Sequence, residues 1–197
     1  LARKDFLDYK KSLAFADKLF RMTDNDYWRV PARLERALTY RAMDDFDTAQ
    51  QEYDAIAATD PRQRTSGIIP QAEMVYFDMD DPERGRELIV AALMNEAING
   101  RERFNTLRRC AQHAVSKGQR EAALKWYAMI DKLPFEKTDE RARYLSHAWY
   151  ERGQIQESLG RTTEAKAIYR KTMELENGEM RFRVRARDAL ENIEYFE

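Results

Sequence analysis

The chain has 197 residues, 43% of them hydrophobic and 35% charged, and its 34 basic and 35 acidic side chains leave a formal charge of −1. That balance excludes a global field drawing it to nucleic acid or anionic lipid, and the aromatic content excludes a disordered chain. One cysteine, Cys110, excludes an internal disulfide and fits a reducing compartment, and no run approaches the ~18 apolar residues of a membrane span.

Apolar residues recur at steps of three and four, strand-like alternation is nearly absent, and about ten helices are predicted. The first, 5–22, carries a faint phrase in which Asp8-Tyr9 is followed by Ser12 and Ala16. After a second helix, 27–43, the phrase is complete: Asp44-Asp45-Phe46 opens the third helix, 46–59, with Ala49 and, one turn on, Tyr53; Ile56 and Ala57 continue the face. Pro61 stops that helix, because proline disfavours helix in the residue before it. Ser66-Gly67 and Pro70 break the pattern over 62–70, so the fourth helix is expected to be short, 69–79.

A degenerate phrase, Asp80-Asp81-Pro82 with Gly85 and Ile89, opens the fifth helix, 82–98. The sixth, 101–116, leads into Gly118-Gln119-Arg120 and a seventh, 119–132, bearing Ala123, Tyr127 and Ile130, with Pro134 beyond it. The eighth, 138–159, is long, and Gly160-Arg161-Thr162 with Ala165 and Tyr169 begins the ninth, 162–176. Asn177-Gly178 connects to the last, 179–195.

From one small residue to the next (Ser12, Ala49, Gly85, Ala123, Ala165) the steps are 37, 36, 38 and 42 residues. Repetition in this range means stacked supersecondary units. The small residue has a packing reason: helices joined by a tight turn approach closely only where a side chain is tiny, and the following aromatic fills the space beside it. Charge is uneven along the stack, with 14 basic and 19 acidic side chains in residues 1–100 against 20 and 16 in 101–197, or −5 against +4.

These phrases resemble the tetratricopeptide repeat (TPR) family, a helix–turn–helix unit of about 34 residues. The last copy resembles it best, through Trp149, Gly153, Gly160, Ala165 and Tyr169. The first full copy matches with Ala37, Tyr40, Phe46, Ala49, Tyr53 and Pro61. The third keeps Ala111, Gly118, Ala123 and Tyr127, with Ala114 where the family has a tyrosine; the second keeps Tyr76, Gly85 and Ala92. The resemblance covers about 8–196 and implies an all-α superhelix, an α-solenoid of about five stretched repeats forming one domain over 1–197. Its expected parts are the second helix of a partial repeat at 5–22, repeats at about 27–61, 66–98, 101–134 and 138–177, and a capping helix at 179–195. Because the opening repeat has only its second helix and the chain does not begin with methionine, it reads as a segment of a larger protein.

The resemblance also implies a concave groove lined by the first helix of each repeat, which takes a peptide, helix or domain of another protein. Its candidates here are Arg41, Met74, Phe77, Asn105, Arg108, Gln112, His147, Tyr150, Gln154 and Glu157. The Lys/Asn pattern that clamps a C-terminal carboxylate in chaperone-binding members is missing, which argues against such a tail as ligand. No cofactor, metal, nucleic acid or membrane insertion is expected; self-association is compatible with the stack.

Other motifs favour bland readings. His113 and His147 lack partners at metal-ligand spacing, and Cys110 falls on a face expected to be buried. Asp78, Asp80 and Asp81 read as a solvated helix end. In a helix Arg181, Arg183, Arg185 and Arg187 fall at about 0°, 200°, 40° and 240°, two opposed pairs rather than one positive row. Trp28, Trp126 and Trp149 are expected in the core. No catalytic constellation emerges, so the expected function is a protein-interaction scaffold or adaptor. The alternative is a regulatory or oligomerisation module that packs on an output or catalytic domain of the same protein.

Overall fold

A computed structural model describes residues 6–59, 61–79, 81–135 and 137–196. The opening pentapeptide and Asp80, part of the fourth phrase and of the acidic trio, lie outside the described residues. Among the described residues every regular element is an α-helix. The chain divides into two compact units, Leu1–Ile98 and Asn99–Glu197. The first holds α1 (Phe6–Arg21), α2 (Asp26–Ala42), α3 (Phe46–Ala57), α4 (Pro61–Phe77) and α5 (Pro82–Leu93); the second holds α6 (Gly100–Ser116), α7 (Arg120–Ile130), α8 (Thr138–Ser158), α9 (Thr162–Glu174) and α10 (Met180–Phe196). Within each unit every helix packs on the next, α2 also reaches α4, and α8 also reaches α10. The chain is thus an all-helical repeat protein, as its periodicity predicts.

Three turns share one geometry. Asp44, Gly118 and Gly160 adopt left-handed φ values of 60°, 73° and 71°. In each, the following N–H donates to a carbonyl five residues back: Asp45 to Tyr40 at 3.0 Å, Gln119 to Ala114 at 2.8 Å and Arg161 to Gln156 at 2.9 Å. These bonds satisfy carbonyls that a helix end leaves without an intrahelical donor. Side-chain caps begin several helices: Asn25 accepts from the Tyr27 N–H, Asp45 from Thr48, Asp81 from Arg84 and Asn99 from Glu102.

The small residues and their aromatics occupy the core. Ala49, Ala123 and Ala165 are fully buried, as are Tyr53, Tyr127, Tyr169 and Ile89. Ala49, Tyr53 and Ile56 of α3 form one cluster with Val30 and Ala37 of α2 and Met74 of α4. Ala165 and Tyr169 of α9 form another with Ala186 and Leu190 of α10. At Gly85 a Cβ would lie 2.5 Å from the Tyr76 backbone nitrogen, so α4 and α5 touch main chain to main chain there. At Gly153 it would lie 2.7 Å from Cδ1 of Tyr169: the repeat aromatic fills the space that this glycine leaves.

Two expected elements are corrected. The fifth helix stops at Leu93, with Met94 as its C-cap, rather than reaching residue 98. The fourth helix is not a short 69–79 segment but runs Pro61–Phe77, straight through Ser66, Gly67 and Pro70. Pro61 takes the first helical position, where its missing N–H has no partner to lose, whereas Pro70 lies in the helix interior. Gly67 is buried against α3, where a Cβ would meet Ile56 Cγ2 at 3.1 Å; it permits a close helix contact rather than marking a break. The tryptophan expectation divides. Trp126 and Trp149 are buried, but Trp28 is 53% exposed. It stands two residues before the buried Val30, hence about 200° around α2 from the packed face.

Candidate functional site

Asn99 caps α6 and sets it so that Phe104, Asn105 and Arg108 follow at steps of one and three along a single stretch of helix. On α8, Arg143, Tyr144 and His147 stand one turn apart in the same way. The start of α10 is tied to α8 through Ser146, a fully buried residue whose Oγ donates to the Arg143 carbonyl at 2.8 Å and accepts from the Glu179 N–H at 3.0 Å. That anchor delivers Glu179 and Arg181 to the same place. Together these residues enclose a cleft of about 450 Å³ inside the second unit.

The cleft has an aromatic wall. Phe104 stacks on Tyr144 with ring centroids 4.4 Å apart, and His147 stacks on Phe182 at 4.3 Å and 13°. Phe104 also meets His147 at 5.5 Å, and Phe182 meets Tyr150 at 5.8 Å. A continuous run of rings therefore crosses from α6 to α10; it stacks one face of His147, whose Nε2 meets Glu151 at 3.5 Å. At its edges lie the charges. Arg181 bonds Glu179 at 2.8 Å and covers the Phe182 ring at 4.6 Å. Arg108 reaches only the neutral Gln112, at 3.4 Å, and Arg143 has no side-chain partner among the described residues. Burial and then the hydrogen bond to Glu140 push the Tyr144 hydroxyl above the usual phenol range. Behind α6 the Tyr127 hydroxyl is buried with no hydrogen-bond partner among the described residues; burial and then Glu151 push it up, against the opposing pull of Arg108.

The ten groove candidates do not stay together. Asn105, Arg108 and His147 line this cleft, and Gln112 touches it through Arg108. Tyr150 is linked through its contacts with Phe182 and Tyr169. Gln154 is exposed further along α8. Glu157 accepts the Tyr169 hydroxyl at 2.9 Å and faces a separate hollow of about 490 Å³ with Thr162, Asn192 and Ile193. In the first unit Arg41 is held by Asp78 at 2.5 Å, and Phe77 lies half-buried and edge-on to Tyr76 at 5.2 Å. Met74 leaves the groove set altogether: it is fully buried in the α2–α3–α4 cluster and presents no surface to a ligand.

Phe104, Arg143, Tyr144, Glu179 and Arg181 complete the cleft without having been singled out for it. The helical repeat alone could have found Arg143 and Tyr144, which stand four and three residues before His147. Nothing in the sequence pairs the start of α10 with α6.

The other motifs resolve quietly. Asp78 pairs with Arg41 and Asp81 caps α5. Cys110 is fully buried. In α10, Arg183 donates to the Met173 carbonyl at 2.9 Å while Arg187 pairs with Asp188 at 2.9 Å, so the arginines turn to different partners. Among the described residues no group of His, Cys, Asp and Glu could hold a metal, and no helix is long and apolar enough to cross a membrane. A family model described as tetratricopeptide repeat matches residues 146–178, the end of α8, the Gly160 turn, α9 and the approach to α10. No curated protein and no solved structure shows significant similarity to the chain.

Proposed function

Because this is a helical repeat protein of tetratricopeptide type, we propose that it is a non-enzymatic scaffold that holds a peptide or a segment of a partner protein against its α6–α8–α10 face. Repeats of this type are typically protein–protein interaction modules. The observation that carries the reading is the cleft itself, which gathers Asn105 and Arg108 from α6 and His147 from α8 beside the start of α10. Its rings offer apolar contact area at little entropic cost, and its guanidiniums and amide offer directional hydrogen bonds; hot spots in protein interfaces combine these two features.

The test is a partner isolated with the whole protein and then titrated against Asn105→Ala with Arg108→Glu. Neither side chain belongs to a core cluster, so unchanged circular dichroism is expected beside a large loss of affinity. A partner that binds the double variant as tightly as the wild type overturns the assignment.

A further inference from the structure

The charges of this cleft do not balance, and the imbalance points to what fills it. Its carboxylates are engaged by the protein: Glu179 by Arg181 at 2.8 Å, and the neighbouring Glu140 by the Tyr144 hydroxyl at 3.2 Å. Its remaining guanidiniums are not. Arg108 meets only the neutral Gln112, and Arg143 meets no side-chain partner among the described residues. Elsewhere in this unit three arginines that reach across helices find carboxylates: Arg152 meets Asp131 at 2.8 Å, Arg170 meets Glu194 at 2.8 Å, and Arg161 meets Glu121, while Arg183 ends on the Met173 carbonyl. In the first unit the groove arginine, Arg41, is closed off by Asp78. Two guanidiniums without a carboxylate partner, flanking a wall of stacked rings, make a surface complementary to negative charge interleaved with apolar groups.

Resting on the reading of the α6–α8–α10 face as the binding surface, we propose that its occupant is an acidic segment of a partner protein. Carboxylates of that segment meet Arg108 and Arg143, and an apolar or aromatic side chain lies between them against Phe104, Tyr144 and His147. The arginine fork takes a carboxylate through two parallel N–H donors, which gives register as well as attraction. His147 turns its Nε2 to Glu151 at 3.5 Å, so that carboxylate too is engaged by the protein and the imidazole contributes its ring to the wall.

The experiment uses the whole protein and a fluorescein-labelled peptide of Glu alternating with Leu and Phe, with counterparts carrying Gln or Lys in place of every Glu. Fluorescence anisotropy is expected to show the Glu peptide binding about tenfold or more tightly than the Gln peptide, with the Lys peptide weakest and salt eroding the difference. Arg108→Glu with Arg143→Glu is expected to lower affinity for the Glu peptide by about tenfold or more. Arg120→Glu with Lys125→Glu, exposed positions on α7 outside the cleft, makes the same change of net charge and is expected to leave affinity nearly unaltered. Arg108→Gln with Arg143→Gln repeats the test without charge reversal, and thermal melts check that each variant is folded.

Equal losses in the cleft and α7 variants would reduce the effect to overall charge and overturn the proposal. A Gln peptide that binds as tightly as the Glu peptide, and is lost on His147→Ala, would leave the binding face intact and overturn its acidic preference. No binding by any of the three peptides would overturn the acidic occupant as well.

Discussion

The two units use one packing device and differ in what they leave exposed. In both, a left-handed turn residue, a small residue and a buried tyrosine join two helices: Asp44, Ala49 and Tyr53 in the first, Gly160, Ala165 and Tyr169 in the second. On the helix faces that the repeat leaves available, they part. The first unit closes its arginine against Asp78, whereas the second leaves Arg108 and Arg143 beside a run of aromatic rings. The difference teaches that the repeat phrase governs stability and says little about recognition. On the proposed reading, recognition falls to residues between the phrases.

The shared device is broken most severely at its aromatic. Tyr53→Ala and Tyr169→Ala each remove a fully buried ring and should each cost ~3–5 kcal/mol, read as a fall in the urea midpoint. A cost confined to one unit would show that the device is not shared. Next come the close approaches, at about 1–3 kcal/mol. Gly85→Ala drives a methyl into the Tyr76 backbone, and Gly153→Ala drives one into the Tyr169 ring, which has no free volume to enter. Gly67→Ala brings a methyl to 3.1 Å from Ile56 Cγ2, tight but without the overlap seen at the other two glycines, and gains helix propensity, so it should change stability by less than ~1 kcal/mol.

That contrast explains what the sequence could and could not reveal. The phrase is legible because each packing unit is local: turn, small residue and aromatic lie within ten residues, as in Gly160 to Tyr169. The start of α4 was not legible, because Gly67 and Pro70 carry breaker propensities, and the close contact that Gly67 permits with Ile56 is a tertiary one. The cleft's lining was legible in part. Asn105, Arg108 and His147 follow the first-helix positions that the family resemblance supplies, and they line one cleft. Continuing the same face along α8 fails, because a helix rises about 1.5 Å per residue and the ten residues from His147 carry Glu157 to another hollow. Glu179 and Arg181 come from an element read as a cap, and only the bond to Ser146 brings them in.

A finer comparison concerns the tyrosine hydroxyls. Tyr169 donates to Glu157, so Tyr169→Phe should cost about 1 kcal/mol. Tyr127 has no hydrogen-bond partner among the described residues, so Tyr127→Phe should be neutral or slightly stabilising. Burial pushes Tyr53 up to about 12 from the usual 10.0, against Arg41, which favours the ionised form. Its folded form keeps the proton longer than the unfolded chain does. The associated stability is complete below about pH 10 and is lost as pH rises toward about 12. Tyr53→Phe should flatten that part of the decline in a urea-unfolding series, and an unchanged slope would mean the ring is less desolvated than its burial indicates.

The smallest expected effect on stability addresses the difference between the units most directly. Asp78→Asn takes away the carboxylate that closes Arg41 while keeping the side chain's size. Both partners are partly solvated, at 19% and 33% side-chain exposure, so the pair should contribute no more than about 1 kcal/mol and the variant should remain folded. What changes is the charge left available on the first unit, where Arg41 keeps its bond to the Pro70 carbonyl at 3.5 Å but loses the carboxylate that follows the half-buried Phe77 in the chain. If unsatisfied arginine beside aromatic surface is what separates the units, the Glu peptide should gain a weak second binding event in Asp78→Asn that the Lys peptide does not. That event should survive Arg108→Glu with Arg143→Glu in the second unit. An Asp78→Asn protein that melts like the wild type and shows no second event would place the distinction elsewhere, in the ring wall of Phe104, Tyr144 and His147, which the first unit would then have to reproduce before it could bind.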